Sequence, residues 1–329
     1  MTSLKNKIFE TYQEGADLGS VLLRLFAAQR QEWPELKKNY EQLEKRQTRI
    51  LSGAGASRIV LQFNPSRVGS TLAKVDSESL RQRKCFLCIE NLSPEQKGIL
   101  YRGDYLILCN PYPIFEKHFT ISSISHIPQN ILGPLPDFLS LAEDIGPGFT
   151  VFYNGPQCGA SAPDHLHFQA CPSGQLPVEN EMIENGLPVL RPDLEPVLRD
   201  ENWDVHVFET TGRGIIFITA KNIAAAVAAS ARAISALRAA NSSEPLLNII
   251  ARKERDSFRI MIFPRRKFRP DCFYLEGEKR IAVSPAAVEL GGLIITPFKK
   301  DFDLLDFAGA VSILQEVSLD SASIIKLLK

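Results

Sequence analysis

The stretch 154-NGPQCGASAPDHLHFQA-170 sets two histidines and a glutamine at alternate positions behind a loop of small residues, in a chain with 329 residues and five histidines. Successive side chains on a strand point to opposite faces, so His165, His167 and Gln169 share one face and Leu166 and Phe168 the other. A strand whose polar face meets solvent would show the same alternation. On a buried face, three such side chains need partners, because an unpaired buried polar group costs about 1–3 kcal/mol. The preceding loop adds a second signal. Gly155, Gly159, Ala160 and Ser161 leave backbone N–H groups uncovered, and such a loop can form a nest of donors for phosphate oxygens. An imidazole beside that nest can attack phosphorus, splitting one transfer into two. Gln169 can donate a neutral hydrogen bond to the same phosphate.

Around this stretch the bulk numbers are those of an ordinary globular chain. The apolar fraction is 44% and the 38 basic residues balance 38 acidic ones. Zero net charge argues against a general nucleic-acid or membrane-surface binder. No apolar run reaches the roughly 18 residues of a membrane span, and the first residues, MTSLKNKIFETYQEGADLG, are too polar for a secretory signal. A cytoplasmic protein is expected. Oligomeric state leaves no trace in the sequence.

Residues 4 to 47 are expected to be helical, with Leu18, Leu22, Leu23, Leu25 and Phe26 on one stripe and a charged segment around Trp33 and Tyr40. SGAGAS at 52–57 ends that region and RIVLQFNPSR starts a strand. Further strands are expected at 105–110, 118–124 and 149–154, with a helix over 134–145. Prolines at 172, 177, 188, 192 and 196 mark an irregular stretch over 172–200. A second block follows: strands in DVHVFET, RGIIFITA, PLLNIIARKE, FRIMIFPRR and GGLIITP, an alanine-rich helix near 222–240, and a closing helix near 303–317. Two blocks of mixed strands and single helices predict an α+β protein, with a duplicated unit suggested by element order alone.

RKCFLCIEN supplies Cys85 and Cys88 at a spacing suited to zinc, to redox chemistry, or to two incidental core cysteines. Zinc needs two further ligands, and the histidines are 118, 126, 165, 167 and 206. Asn110, in LCNPYPIF, either caps a rigid turn or touches substrate. Arg67 and Lys74 are either surface residues or phosphate ligands, for which arginine is apt. Arg265, Arg266, Lys267 and Arg269 follow a strand, as a phosphate clamp or a solvated charge run. His118 and His206 read as strand residues, Cys109, Cys158, Cys171 and Cys272 as small core residues, and Asp271 and Glu289 have no assigned role.

GASAPDHLHFQ resembles the active-site signature of the histidine-triad superfamily, in the transferase branch where glutamine replaces the third histidine. That branch holds galactose-1-phosphate uridylyltransferase, diadenosine tetraphosphate phosphorylase and GDP-hexose phosphorylase. Leu166 departs from the proline usual in the uridylyltransferases. The resemblance implies an antiparallel sheet with packed helices: an N-terminal helical extension over 1–52, a catalytic half with the zinc site over 53–185, and a second, degenerate half over 186–329. It implies a nucleotidyltransferase or phosphorylase acting on a dinucleoside polyphosphate or nucleotide sugar. His167 would form a nucleotidyl-histidine intermediate, and inorganic phosphate or a sugar phosphate would take the nucleotidyl group. A nucleotide hydrolase and a silent nucleotide-binding protein are the alternatives. Gln169 would hold phosphoryl oxygens, with substrate contacts from Asn154, Gly159, Ala160 and Ser161, from Asn110 at the ribose, and from Arg67, Lys74 and Arg265 at phosphates. A structural Zn2+ on Cys85, Cys88, His126 and His165 is implied as well. HFTISSISHI resembles the family stretch whose strand-ending ligand matches His126.

Overall fold

The structure, a computed structural model, describes residues 3–53, 58–181, 194–238 and 244–329. Its strands are β1 (Ile8–Thr11), β2 (Gln47–Ser52), β3 (Arg58–Phe63), β4 (Gly98–Tyr101), β5 (Tyr105–Cys109), β6 (Phe119–Ser123), β7 (Phe149–Asn154), β8 (His167–Pro172), β9 (Leu198–Arg199), β10 (Trp203–Thr210), β11 (Arg213–Ala220), β12 (Leu247–Lys253), β13 (Phe258–Pro264) and β14 (Leu293–Thr296). The large sheet runs β1-β4-β5-β6-β8-β7-β12-β13-β11-β10-β9, and a small one runs β14-β3-β2. The fold is α+β. Except for the parallel pair β1–β4, the large sheet is antiparallel.

A duplicated unit is visible in this order. In the first half β5 and β6 are followed by a helix, Leu135–Asp144, and then by β7 and β8. In the second, β10 and β11 are followed by Ile223–Ala236 and then by β12 and β13. Each unit arranges its strands in the same spatial order, and the two meet at an antiparallel seam where Phe152 faces Ile250 and Asn154 faces Asn248. The boundary expected at 185/186 lies outside the described residues, as do the proline-rich residues 182–193 of the expected irregular stretch and the tip of SGAGAS.

Both faces of the large sheet are buried. One face carries Leu166, Phe168 and Ala170 in a core shared with the helices Leu18–Glu32, Pro34–Glu44, Leu135–Asp144, Ile223–Ala236 and Ser321–Leu328. The other carries Phe152, Ile250, Met261 and Phe263 against the small sheet and the helices Ala287–Leu290, Lys299–Leu304 and Phe307–Val317. Phe168 meets the rings of Tyr105, Phe138 and Tyr153 at 5.7, 5.2 and 6.2 Å.

The N-terminal region departs from the expected continuous helix. Ile8–Thr11 adds a strand to the sheet edge, Pro34 starts a second helix, and Gln47–Ser52 is a strand of the small sheet. Proline lacks the N–H that would continue the first helix but suits the first position of a new one. The buried stripe is Leu18, Val21, Leu22, Leu25, Phe26 and Gln29, while Leu23 is exposed. The regular part of the histidine strand begins at His167, so His165 lies in the preceding turn, its N–H bonded to Ala162 O. The chain also closes with a helix, Ser321–Leu328, beyond the one expected near 303–317. Among the described residues, no helix is long and apolar enough to cross a membrane.

Candidate active site and metal centre

One cross-strand row sets the floor of the site. Gly98 faces Leu108, Leu108 faces Thr120, Thr120 faces Gln169, and Gln169 faces Phe152. Leu108, Thr120, Gln169 and Phe152 all line a cavity of about 1050 Å³. Across the seam the row continues as Ile250, Met261 and Phe217, which are buried and apolar. The first half keeps a polar opening at positions where the second half closes by hydrophobic contact.

His167 stands at the head of β8, 5% exposed, and lines the cavity. Its Nδ1 lies 2.8 Å from the carbonyl oxygen of His165. A carbonyl only accepts, so Nδ1 carries the proton and Nε2 keeps its lone pair. Among the described residues Nε2 has no hydrogen-bond partner. Burial pushes the imidazole down to about 4, so the ring is neutral at neutral pH. Gln129 fixes the backbone here: its Oε1 accepts from His167 N–H at 2.8 Å, and its Nε2 donates to the carbonyls of Asn154 and His167 at 2.9 Å each.

Gln169 is oriented by a residue with no role assigned from sequence. His118 is fully buried; its Nδ1 accepts from Ile114 N–H at 3.3 Å, so its Nε2 bears the hydrogen and donates to Gln169 Oε1 at 2.9 Å. That occupies the amide oxygen and leaves the Gln169 NH₂ for the cavity. Burial, reinforced by the charge of Arg67, pushes His118 down to about 3, so this donor stays a neutral, single tautomer. Its ring lies over Phe152 at 6.0 Å. The Tyr40 hydroxyl, from the N-terminal helix pair, accepts from His118 N–H and donates to His118 O, both at 3.2 Å.

Asn154 shows the same logic from the seam. Its Oδ1 accepts from Asn248 Nδ2 and from Ala287 N–H, each at 2.8 Å, which leaves its NH₂ for the cavity. Gly159 and Ser161 line the cavity, and Gly159 has a φ of +94° with Ala286 so near that an added Cβ would lie 2.4 Å from the alanine Cβ. Only glycine fits there. Ala160 is buried, 1% exposed, and is not part of the wall.

Arg67, Lys74 and Asn110 also line the cavity. Arg67 donates to Tyr112 O at 2.9 Å and is pushed down by burial to about 10, so it remains a cation. Lys74 is exposed at the margin. Asn110 caps the turn, accepting from Tyr112 N–H at 3.0 Å and donating to Thr120 Oγ1 at 3.1 Å. Arg265 is not the phosphate clamp its charged surroundings suggest. It is 4% exposed and all five of its donors are taken, by the carbonyls of Val317, Pro285, Lys267 and Phe268 and by Asn248 Oδ1. Through Asn248 it supports Asn154 from behind the wall.

Glu289, which the sequence left without a role, lines the cavity and is 7% exposed. Its Oε2 accepts from Ala286 N–H at 2.9 Å; burial raises its pKa while the nearby Arg67 charge opposes the shift.

Beside the reaction strand, Cys85, Cys88, His126 and His165 place one ligand atom each within 4.8 Å of one another. Cys85 Sγ and Cys88 Sγ lie 3.3 and 3.7 Å from His165 Nδ1, and Cys88 Sγ lies 3.2 Å from His126 Nδ1. A tetrahedral zinc with Zn–N near 2.0 Å and Zn–S near 2.3 Å sets ligand atoms about 3.3–3.8 Å apart. His165 Nε2 donates to Ser123 O at 2.8 Å, which turns the Nδ1 lone pair toward the thiols, as a backbone carbonyl commonly does for a metal-bound histidine. The set fits a structural Zn2+. The ion would brace His165, whose carbonyl holds His167.

Two family profiles match successive parts of the chain: one described as a domain of unknown function (DUF4922) over residues 25–172, and one described as GDPGP1-like, C-terminal domain, over residues 188–327. No curated protein matches significantly. Among solved structures, the yeast Ap4A phosphorylase Apa2 is 16% identical with a TM-score of 0.52, over 87% of this chain and 97% of that one. An ADP-glucose phosphorylase from Arabidopsis thaliana with bound ADP-glucose is 15% identical over 83% and 99%, TM-score 0.37. A uridylyltransferase is 17% identical over 70% and 91%, TM-score 0.39. At such identities the likeness is one of fold, shared with the Ap4A phosphorylase over most of both chains.

The metal centre is directly testable. Purified protein should carry about one zinc per chain by elemental analysis, and Cys88→Ser should lose the metal and lower the Tm. Metal-free wild type with unchanged Tm and both thiols freely alkylated would remove the site.

Proposed function

We propose that this chain, with its histidine-triad-like phosphorylase/transferase fold, is a nucleotidyltransferase of the phosphorylase type, working by double displacement through His167. The observation that carries the reading is the pairing of two oriented groups at one cavity: a bare Nε2 on His167 and an amide NH₂ on Gln169. In the first step the Nε2 lone pair attacks the α-phosphorus of a nucleotide phosphoanhydride. The P–N bond forms as the bond to the leaving phosphate oxygen breaks. The ring becomes cationic, and the Nδ1–H bond to His165 O strengthens as it does so. In the second step an oxygen of inorganic phosphate or a sugar phosphate attacks the same phosphorus, the P–N bond breaks, and neutral His167 returns.

Gln169 and Asn154 would donate to the non-bridging oxygens, where charge accumulates. Both are neutral donors, so neither offers a proton to the leaving group. Arg67 and Ser161 would hold the remaining phosphate oxygens. Between the two substrate classes the sequence left open, Glu289 favours a nucleotide sugar. A buried carboxyl group accepts hydrogen bonds from sugar hydroxyls and repels a further polyphosphate. Base and acceptor identity enter only through the shape and polar groups of the cavity arms.

Incubation with α-labelled nucleotide sugar should label wild type with an acid-labile, base-stable adduct, and His167→Ala should neither label nor turn over. A His167→Ala protein that keeps turnover would contradict the reading. His118→Phe, which removes the hydrogen bond that orients Gln169, should lower kcat about 100-fold with KM little changed, in the range seen when one transition-state donor is lost. An unchanged kcat would show that Gln169 needs no such positioning.

A further inference from the structure

The cavity has a second arm with chemistry the reaction at His167 does not use. From Gln169 the floor runs through Thr120 and Leu108 to Gly98, three strand spacings or about 14 Å. Gln96 sits two residues before Gly98, at that far end. It lines the cavity and is 7% exposed. Among the described residues its side-chain amide has no hydrogen-bond partner. Its polar atoms are not sealed in packed protein but open on the cavity, where they are free to bond a ligand.

The cavity that Gln96 lines also holds flat and apolar side chains, together with the polar Asn91, Ser93 and Arg83. Trp33, Phe86, Leu87 and Leu108 line the same cavity, and Phe86 stands 51% exposed at its mouth. The loop that carries Gln96 is held from behind by two buried side chains of the N-terminal segment. Lys7 Nζ donates to the carbonyls of Leu92, Ser93 and Pro94. Gln29 donates to Glu95 O at 3.1 Å and accepts from Lys97 N–H at 3.0 Å, clamping the residues on either side of Gln96. Trp33 follows Gln29 by one helical turn, on the same helix face. The backbone that carries Gln96 is therefore clamped on both sides, on a loop that borders the cavity about 14 Å from Gln169.

We propose that Gln96 reads the hydrogen-bonding edge of the substrate's nucleobase and sets base preference. This rests on the cavity being a nucleotide site, and adds the residue that chooses among nucleotides. An amide offers one acceptor and two donor hydrogens side by side. That pattern matches bases that present a donor next to an acceptor on the Watson–Crick edge, with the ring plane held between apolar walls. The charged arm, with Arg67 and Glu289, is left for the phosphate and sugar beyond the reacting centre.

Equilibrium titration of the full-length protein with GDP, ADP, UDP and CDP tests this. Wild type should favour one base by about tenfold or more, the worth of one or two hydrogen bonds at a dry site. Gln96→Leu should bring all four within about threefold of one another while the weakest binder keeps its affinity. Gln96→Glu, with acceptors only, should raise guanine relative to adenine and uracil, since only guanine offers two adjacent donors on that edge. Melting temperature and zinc content matching wild type would show that the variants are folded. A wild type with no base preference, or a preference unchanged in both variants, overturns the assignment of Gln96. A wild type that binds none of the four overturns the nucleotide reading beneath it.

Discussion

The hydrogen bond from His167 Nδ1 to the carbonyl of His165 decides which ring nitrogen of His167 is left bare. Everything around it keeps that bond in place. His165 is held on its far side by Ser123 O and by the cysteine–histidine cluster, whose four ligand atoms fit a structural zinc ion. The Gln129 amide ties the backbone of His167 to that of Asn154, where the strands part to admit the small-residue loop. The cluster that would hold the ion therefore stands directly behind the carbonyl that fixes the tautomer.

The site draws on every part of the chain. The N-terminal helices reach it through Tyr40, which grips the backbone of His118, and His118 turns the Gln169 amide. The second half reaches it through Arg265 and Asn248, which hold Asn154, and through Ala286, against which Gly159 is pressed. Its own share of the sheet face is filled by Ile250, Met261 and Phe217, so it serves as a wall. Neutral hydrogen bonds between buried amides and imidazoles do most of the orienting. Such bonds gain from low local dielectric and cost heavily when one partner is removed.

Much of this was legible in the sequence where the signal is local. Period-two alternation over residues 165–169 separates the core side chains Leu166 and Phe168 from the polar face, while the CxxC alone left zinc, redox chemistry and core cysteines open, and only the family resemblance singled out Cys85, Cys88, His126 and His165. The two blocks of strands and helices carry the α+β class. What stayed hidden depends on contacts between distant residues. His118 looks like any strand-end histidine until β6 pairs with β8 and brings Gln169, 51 residues away, within hydrogen-bond reach. Arg265 shares a charged run with the exposed Arg266 and the half-buried Lys267 and Arg269. Its burial follows from its place just beyond β13, where the carbonyls of Val317, Pro285, Lys267 and Phe268 converge with Asn248 Oδ1. The strand Ile8–Thr11 is too short for its period to show, and β14 joins β3 in parallel across more than two hundred residues. Leu23 sits within the apolar spacing of its helix yet faces outward, because the neighbouring sheet covers a narrower arc than the sequence stripe. Gln96 and Glu289 are single polar residues in unremarkable contexts, and only the cavity distinguishes them.

The central claim is the tautomer of His167. Long-range proton–nitrogen NMR of ring-labelled protein near neutral pH reads it directly, with His167→Ala identifying the resonances. A protonated Nδ1 and an unprotonated Nε2 on a neutral ring are expected. A proton on Nε2 with Nδ1 bare, or a doubly protonated ring at that pH, would contradict it.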